Sequence, residues 1–176
     1  MIREILRMGD ERLLKTSPPV PPEQIGTEEL HALVNDMFET MRASGGVGLA
    51  APQIGVDLQL MVFAVVPSDK SPERPEVAPC ALLNPIITVE DEKLESDWEG
   101  CLSIPGLRAK VDRYATIRYQ GIDPDGQPID VVANGFHARI VQHEHDHLIG
   151  RLYPSRITDF TTFGFNEEIA NRSKEM

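Results

Sequence analysis

This chain is poor in cysteine and in positive charge, and it has no long apolar run. Two cysteines, Cys80 and Cys101, are too few for a disulfide framework. A bond between them is not expected in a reducing compartment. Seventeen Lys and Arg stand against 28 Asp and Glu, giving a formal net charge of −11 and a pI of ≈ 4.8. That balance argues against an extended nucleic-acid footprint, so no stable nucleic-acid binding is expected. No stretch stays apolar for the roughly 20 residues that cross a bilayer, and no membrane partner is expected. Met1-Ile2-Arg3-Glu4-Ile5-Leu6 reads as neither a secretory signal nor an Arg/Ser-rich transit peptide, so a cytoplasmic location is expected. Internal repeats, low-complexity segments and linkers are also missing. The length suits a single domain over residues 1–176.

What the chain does carry is Gln142-His143-Glu144-His145-Asp146-His147, which contains the pattern H-E-x-x-H. Helical residues advance by about 100° each, so His143 and His147 stack on one face. Two imidazoles at that spacing can hold one metal ion, and Glu144 can then reach a water that the metal activates. Phe136, Ile140, His143 and His147 fall at i, i+4, i+7 and i+11, which predicts a helix with an inward face. Asn134 and Gly135 suit its start and Gly150 its end. His145 faces away from both partners and is expected to be an exposed side chain. The third ligand is open at this level. Cys101 lies in Trp98-Glu99-Gly100-Cys101-Leu102-Ser103-Ile104-Pro105-Gly106, but downstream carboxylates compete with it. Cys80 reads as incidental.

The remaining pattern is mixed α and β. Thr27 to Ala43 reads as a helix through Leu30, Leu33, Val34, Met37, Phe38 and Met41, and Gly45-Gly46 ends it. Leu58 to Val66, Ile86 to Glu90 and Arg108 to Gln120 read as strands. Asp123-Pro124-Asp125-Gly126 marks a turn into a hairpin partner over Ile129 to Ala133. Pro67 to Pro79 reads as a surface loop, Phe163 to Phe165 as a late strand, and Asn171 to Met176 as frayed. The expected fold is α+β, with short antiparallel strands wrapped around a central helix that carries the H-E-x-x-H motif. Gly46 to Gly55 is dense in small residues and is not a phosphate loop, lacking the G-K-[ST] ending. It suits a cradle for an extended peptide, with the Gln53 amide as a donor to an oxyanion.

Together these segments resemble the peptide deformylases, whose pattern is G-x-G-L-A-A-x-Q, then E-G-C-L-S, then Q-H-E-x-D-H. Here they stand at Gly46 to Gln53, Glu99 to Ser103 and Gln142 to His147, in that order, with every fixed position filled. The resemblance covers roughly residues 3 to 157. It implies Cys101, His143 and His147 as metal ligands and Glu144 as the catalytic carboxylate. Gln53 and the Leu102 N–H would stabilise the oxyanion. Val47, Gly48 and Gly100 would pair with the substrate backbone, and Arg108 would lie near its downstream end. Glu99 and Arg113 would form a structural ion pair. The implied metal is Fe²⁺, with Zn²⁺, Ni²⁺ or Co²⁺ able to replace it. The implied reaction removes the formyl group from N-formylmethionyl peptides and releases formate. A transient ribosome contact and a homodimer are compatible with it.

Arg139 stands where many bacterial members have an aliphatic residue, with Phe136 one turn earlier, and the Ala138-Arg139-Ile140 run with Tyr153-Pro154-Ser155-Arg156-Ile157 resembles the subgroup that includes organellar enzymes and second bacterial copies. The C-terminal segment does not resemble the long basic tail helix of some members. Two other classes use similar residues. An H-E-x-x-H endopeptidase would take a carboxylate or His as third ligand and would keep its activity without Cys101. A structural metal domain would close its site with four ligands. Neither accounts for Gly46 to Gln53.

Overall fold

Leu60 to Val65 form a strand that is buried on both faces, and the rest of the fold follows from that. Met61, Phe63 and Val65 point to one side and Leu60, Val62 and Ala64 to the other, as a period of two requires. Each face then needs its own cover. Helix α1 (Glu28–Ala43) covers one with Leu30, Val34, Met37 and Met41. Helix α2 (Gly135–Leu148) covers the other with Ala138, Val141 and Leu148. Burying a side chain the size of Phe63 contributes about 2–3 kcal/mol. The computed structural model describes residues 1–67 and 74–175.

The strands are β1 (Gly48–Ala50), β2 (Leu60–Val65), β3 (Val77–Cys101), β4 (Ile104–Ile122), β5 (Pro128–Asn134) and β6 (Gly164–Phe165). They form one antiparallel sheet in the order β1-β2-β3-β4-β5, with β6 added to β4. A third apolar cluster, with Leu13, Ile104, Val111, Leu152 and Tyr153, closes the end of the sheet where β3 turns into β4.

The α+β class and the antiparallel pairing agree with the sequence reading, but the strands are not short. β3 runs for 25 residues and β4 for 19. The sequence breaks at Asn84-Pro85 and in the polar run after Val89 are irregularities within β3, where the register against β4 shifts. Asn84 adopts φ 52° there, and its side chain bonds both backbone groups of Val20, so the kink is stapled rather than terminal. Val77 to Pro79, expected in a loop, already belong to β3. Residues 68–73 of that expected loop lie outside the described residues. The frayed end is corrected as far as Glu175, Met176 lying outside the described residues: α3 spans Asn166–Glu175, with Glu167 and Glu168 in its first turn, where the helix dipole favours them. Ile169 is buried, and the Arg172 guanidinium donates to Thr161 O.

α1 begins at Thr27, whose hydroxyl accepts the Leu30 N–H at 3.2 Å. α2 follows β5 directly and ends before Gly150, which sits at φ 70°. A Cβ there would also lie 2.5 Å from Leu14 O.

Candidate active site

α2 brings His143 and His147 to one face, their ring centroids 5.1 Å apart. The last residue of β3, Cys101, meets them, with Sγ 3.3 Å from His147 Nε2. One donor atom from each of the three residues lies within 4.8 Å of the others. A thiolate and two imidazoles are the donor set that suits Fe²⁺, Zn²⁺, Ni²⁺ and Co²⁺, and ligand atoms so spaced can surround one ion. His143 Nδ1 meets Glu99 Oε2 at 2.9 Å, so a neutral ring carries its proton there and leaves Nε2 free to ligate. Burial holds the pKa of His147 well below its ordinary value, which keeps that ring neutral. Its Nδ1 is buried with no hydrogen-bond partner. The residues present thus fit a divalent metal.

Glu144 lies beside this cluster, buried, with Oε2 unpartnered. Burial pushes its pKa up to about 7 before any cation's charge is added. Gly48 makes room for it: a Cβ on that residue would lie 2.2 Å from Glu144 Oε1. The Gln53 amide is oriented at both ends. Its Oε1 accepts the Ala50 N–H at 2.8 Å, while Nε2 donates to Ser103 Oγ at 3.1 Å and faces Cys101 Sγ at 3.6 Å.

A cleft of about 360 Å³ opens onto these groups. Val47, Gly48 and Gly100 line its sides, and Trp98, Leu102, Phe136 and Ile140 complete the apolar part. Arg108 is not in the lining. Its guanidinium stacks on Trp98, 4.8 Å from the ring centroid, so it borders the cleft through that side chain. His145 corrects the expectation of an exposed residue. It is half-buried, and burial lowers its pKa. It does not join the cluster of ligand atoms.

Several groups around the site had no signal in spacing. Tyr153 packs on His143 with the rings tilted by 25° and their centroids 6.2 Å apart. Gln142 clips α2 to β4 through both backbone groups of Tyr114. Glu99 accepts a forked pair from Arg113 at 2.9 and 3.0 Å, and Arg113 also donates to Asp146 at 2.6 Å. Burial works against the Glu99 charge, yet these donors and His143 hold its pKa well below the usual carboxylate range. Arg156 donates to both oxygens of Asp146, at 2.6 and 3.2 Å.

A thiol and two imidazoles in a cleft, with a buried carboxylate at hand, define a metal-dependent hydrolase built on the H-E-x-x-H helix. Residues 2–162 match the family model for polypeptide deformylase, and the chain belongs to that family. It is a hydrolase that removes the N-formyl group from nascent polypeptides. The chain is 64% identical over 165 residues to "Peptide deformylase 2" of Pseudomonas syringae pv. tomato, covering 94% of this chain and 92% of that one. It is 61% identical over 170 residues to "Peptide deformylase 1" of Xanthomonas campestris pv. campestris, covering 97% and 98%. The fold is similar to that of a Met-Ala-Ser-bound class I type b peptide deformylase from Acinetobacter baumannii. That match has a TM-score of 0.86 at 32% identity and covers 89% of this chain and 99% of that one.

Proposed function

We propose that the whole chain acts as one catalytic unit, with α2 as its central scaffold, on peptides that begin with N-formylmethionine. The observation that carries this reading is the convergence of Cys101, His143 and His147 beside Glu144 at the floor of a cleft lined by Gly48 and Gly100. Fe²⁺ is the proposed resident ion, held by those three side chains, with Zn²⁺, Ni²⁺ and Co²⁺ as functional substitutes. When bound, the cation acidifies water and polarises the formyl carbonyl.

The chain's own residues do the rest. The substrate lies extended along the cleft, its backbone bonded to Val47, Gly48 and Gly100 like an added strand. Among the described residues β1 pairs with β2 on one side only, which leaves its other edge for such an addition. Apolar side chains of the cleft, Phe136 and Ile140 among them, receive the methionine. Arg108, through its stack on Trp98, borders the downstream end. Glu144, with its raised pKa, takes the proton of the attacking water and passes it to the leaving amine. Gln53 Nε2 and the Leu102 N–H donate to the oxygen as charge develops on it. A donor of this kind is worth roughly 10²–10³ in rate. Nascent substrates imply a brief encounter with the ribosome in the compartment of translation.

The test is formate release from formyl-Met-Ala-Ser by anaerobically purified protein, with metal analysis of the same sample. Turnover that scales with iron content is expected. Turnover without metal, or hydrolysis of internal peptide bonds instead, would overturn the reading.

A further inference from the structure

Arg139 sits one helical turn before His143 on α2 and is buried. Its Nη1 donates to Glu99 Oε1 at 2.9 Å and to Val111 O at 2.7 Å, and its Nη2 donates to Glu95 O at 2.5 Å. Glu99 therefore accepts four charged or polar N–H groups: two from Arg113, one from Arg139 and one from His143. An ionised carboxylate has about four acceptor positions, so this one is saturated.

The two guanidinium groups do different things. Arg113 binds Glu99 with a fork, and a fork alone sets the plane of the carboxylate. Arg139 reaches only one oxygen, the one that His143 does not use. It adds nothing to the orientation that Arg113 already gives. What it adds is a second positive charge on the same buried anion, in a setting where charges are weakly screened. A carboxylate that accepts a proton-bearing imidazole nitrogen makes that imidazole a stronger electron donor to its metal. A carboxylate whose charge is shared between two guanidinium groups does so less.

From this geometry we infer that Arg139 is a positioning residue that acts on the metal through Glu99 and His143, keeping His143 a moderate donor. The consequence is chemical. Cys101 already gives the site one anionic ligand, and a second electron-rich ligand would weaken the cation's pull on water and carbonyl. Arg139 limits that loss. The inference rests on His143 and Cys101 as metal ligands, as proposed above.

The test uses the full-length chain loaded with Zn²⁺, which is diamagnetic, with ¹⁵N-labelled histidine. Wild type, Arg139→Met and Arg139→Lys are compared. Two quantities are read: the ¹H shift of the His143 Nδ1–H and the rate of zinc release to a chelator. In Arg139→Met the proton signal is expected to move downfield and zinc release to slow by about tenfold, the scale on which such supporting partners act. kcat is expected to fall. Arg139→Lys keeps the charge and is expected to restore both values. An unmoved signal with unchanged release would overturn the inference and make Arg139 a packing strut. Faster release would also overturn it, by showing that Arg139 holds the ligands in place. If Arg139→Met does not fold, Arg139→Gln takes its place as the neutral variant. Equal zinc in wild type and Cys101→Ala would instead locate the failure in the metal-site assignment beneath it.

Discussion

At the scale of single residues, Glu144 and Gly48 form a pair that neither motif shows alone. The carboxylate occupies the space where a side chain at position 48 would be. Glu144→Ala is expected to retain metal while kcat drops by several powers of ten, because the group lies outside the proposed ligand set. Gly48→Ala is expected to retain metal too, but to push the carboxylate aside and lower kcat by about 10²-fold, the effect of a misplaced reacting group. Metal analysis alongside formate release checks both, and wild-type turnover in Gly48→Ala would refute the packing argument. The two cysteines should separate just as clearly. Cys101→Ala is expected to lose tight metal binding and Cys80→Ala to change little. Cys80 is half-buried in β3, and burial pushes its thiol up to about 11. Its thiolate fraction at neutral pH is therefore small. Iodoacetamide labelling of Cys80 in the folded protein should be slow at pH 7.5 and rise as the pH approaches that value. Rapid labelling at pH 7.5, mapped by mass spectrometry, would contradict this.

At the scale of elements, α2 is held to the sheet by charge as much as by apolar contact. Arg113 on β4 joins Glu99 on β3 to Asp146 on α2, and all three are buried. Removing one partner of such a network leaves uncompensated charge in the interior. Arg113→Leu is expected to destabilise the fold by about 3–5 kcal/mol, read from urea unfolding with the metal bound. Arg118→Leu is the control. Its pair with Asp130 is exposed, and loss of a surface ion pair costs about 0–1 kcal/mol. Equal losses in the two variants would show that the buried network has no special weight.

At the scale of the whole molecule, the cleft has one wall from β1 and its approach, Gly46 to Gly48, and another from the end of β3 and the turn after it, Gly100 to Leu102. Both walls are anchored in the apolar core. β1 packs against β2 and α1 through Leu49, and Leu102 joins that same apolar cluster, while Cys101 packs on the third. The width of the cleft is therefore set by the whole core. A formyl group carries only hydrogen on its carbonyl carbon, whereas an acetyl group adds a methyl that must fit between the attacking water and those walls. kcat/KM for N-acetylmethionyl peptides is expected to be at least about a hundredfold lower than for N-formylmethionyl peptides, roughly 2.7 kcal/mol in transition-state binding. Comparable rates on the two substrates would show a roomier amidase site.

Much of this was legible in the chain itself. The helical spacing of His143 and His147, the period of α1 and the alternation that becomes the β4–β5 hairpin are local properties, and local properties survive in a linear text. Glycine marked Gly48 as a place of close approach without saying what approaches. The lengths of β3 and β4 were not legible, because a kink at Asn84-Pro85 reads like an end unless the partner strand is known. His145 looked exposed because helical spacing reports direction, not what covers that side. The four donors on Glu99 come from residues 14 to 44 positions away, so no spacing rule could collect them. By itself the sequence determined which groups could do the chemistry. Tertiary structure alone decided how they are charged and held, since burial and ion pairing arise only where distant segments pack together.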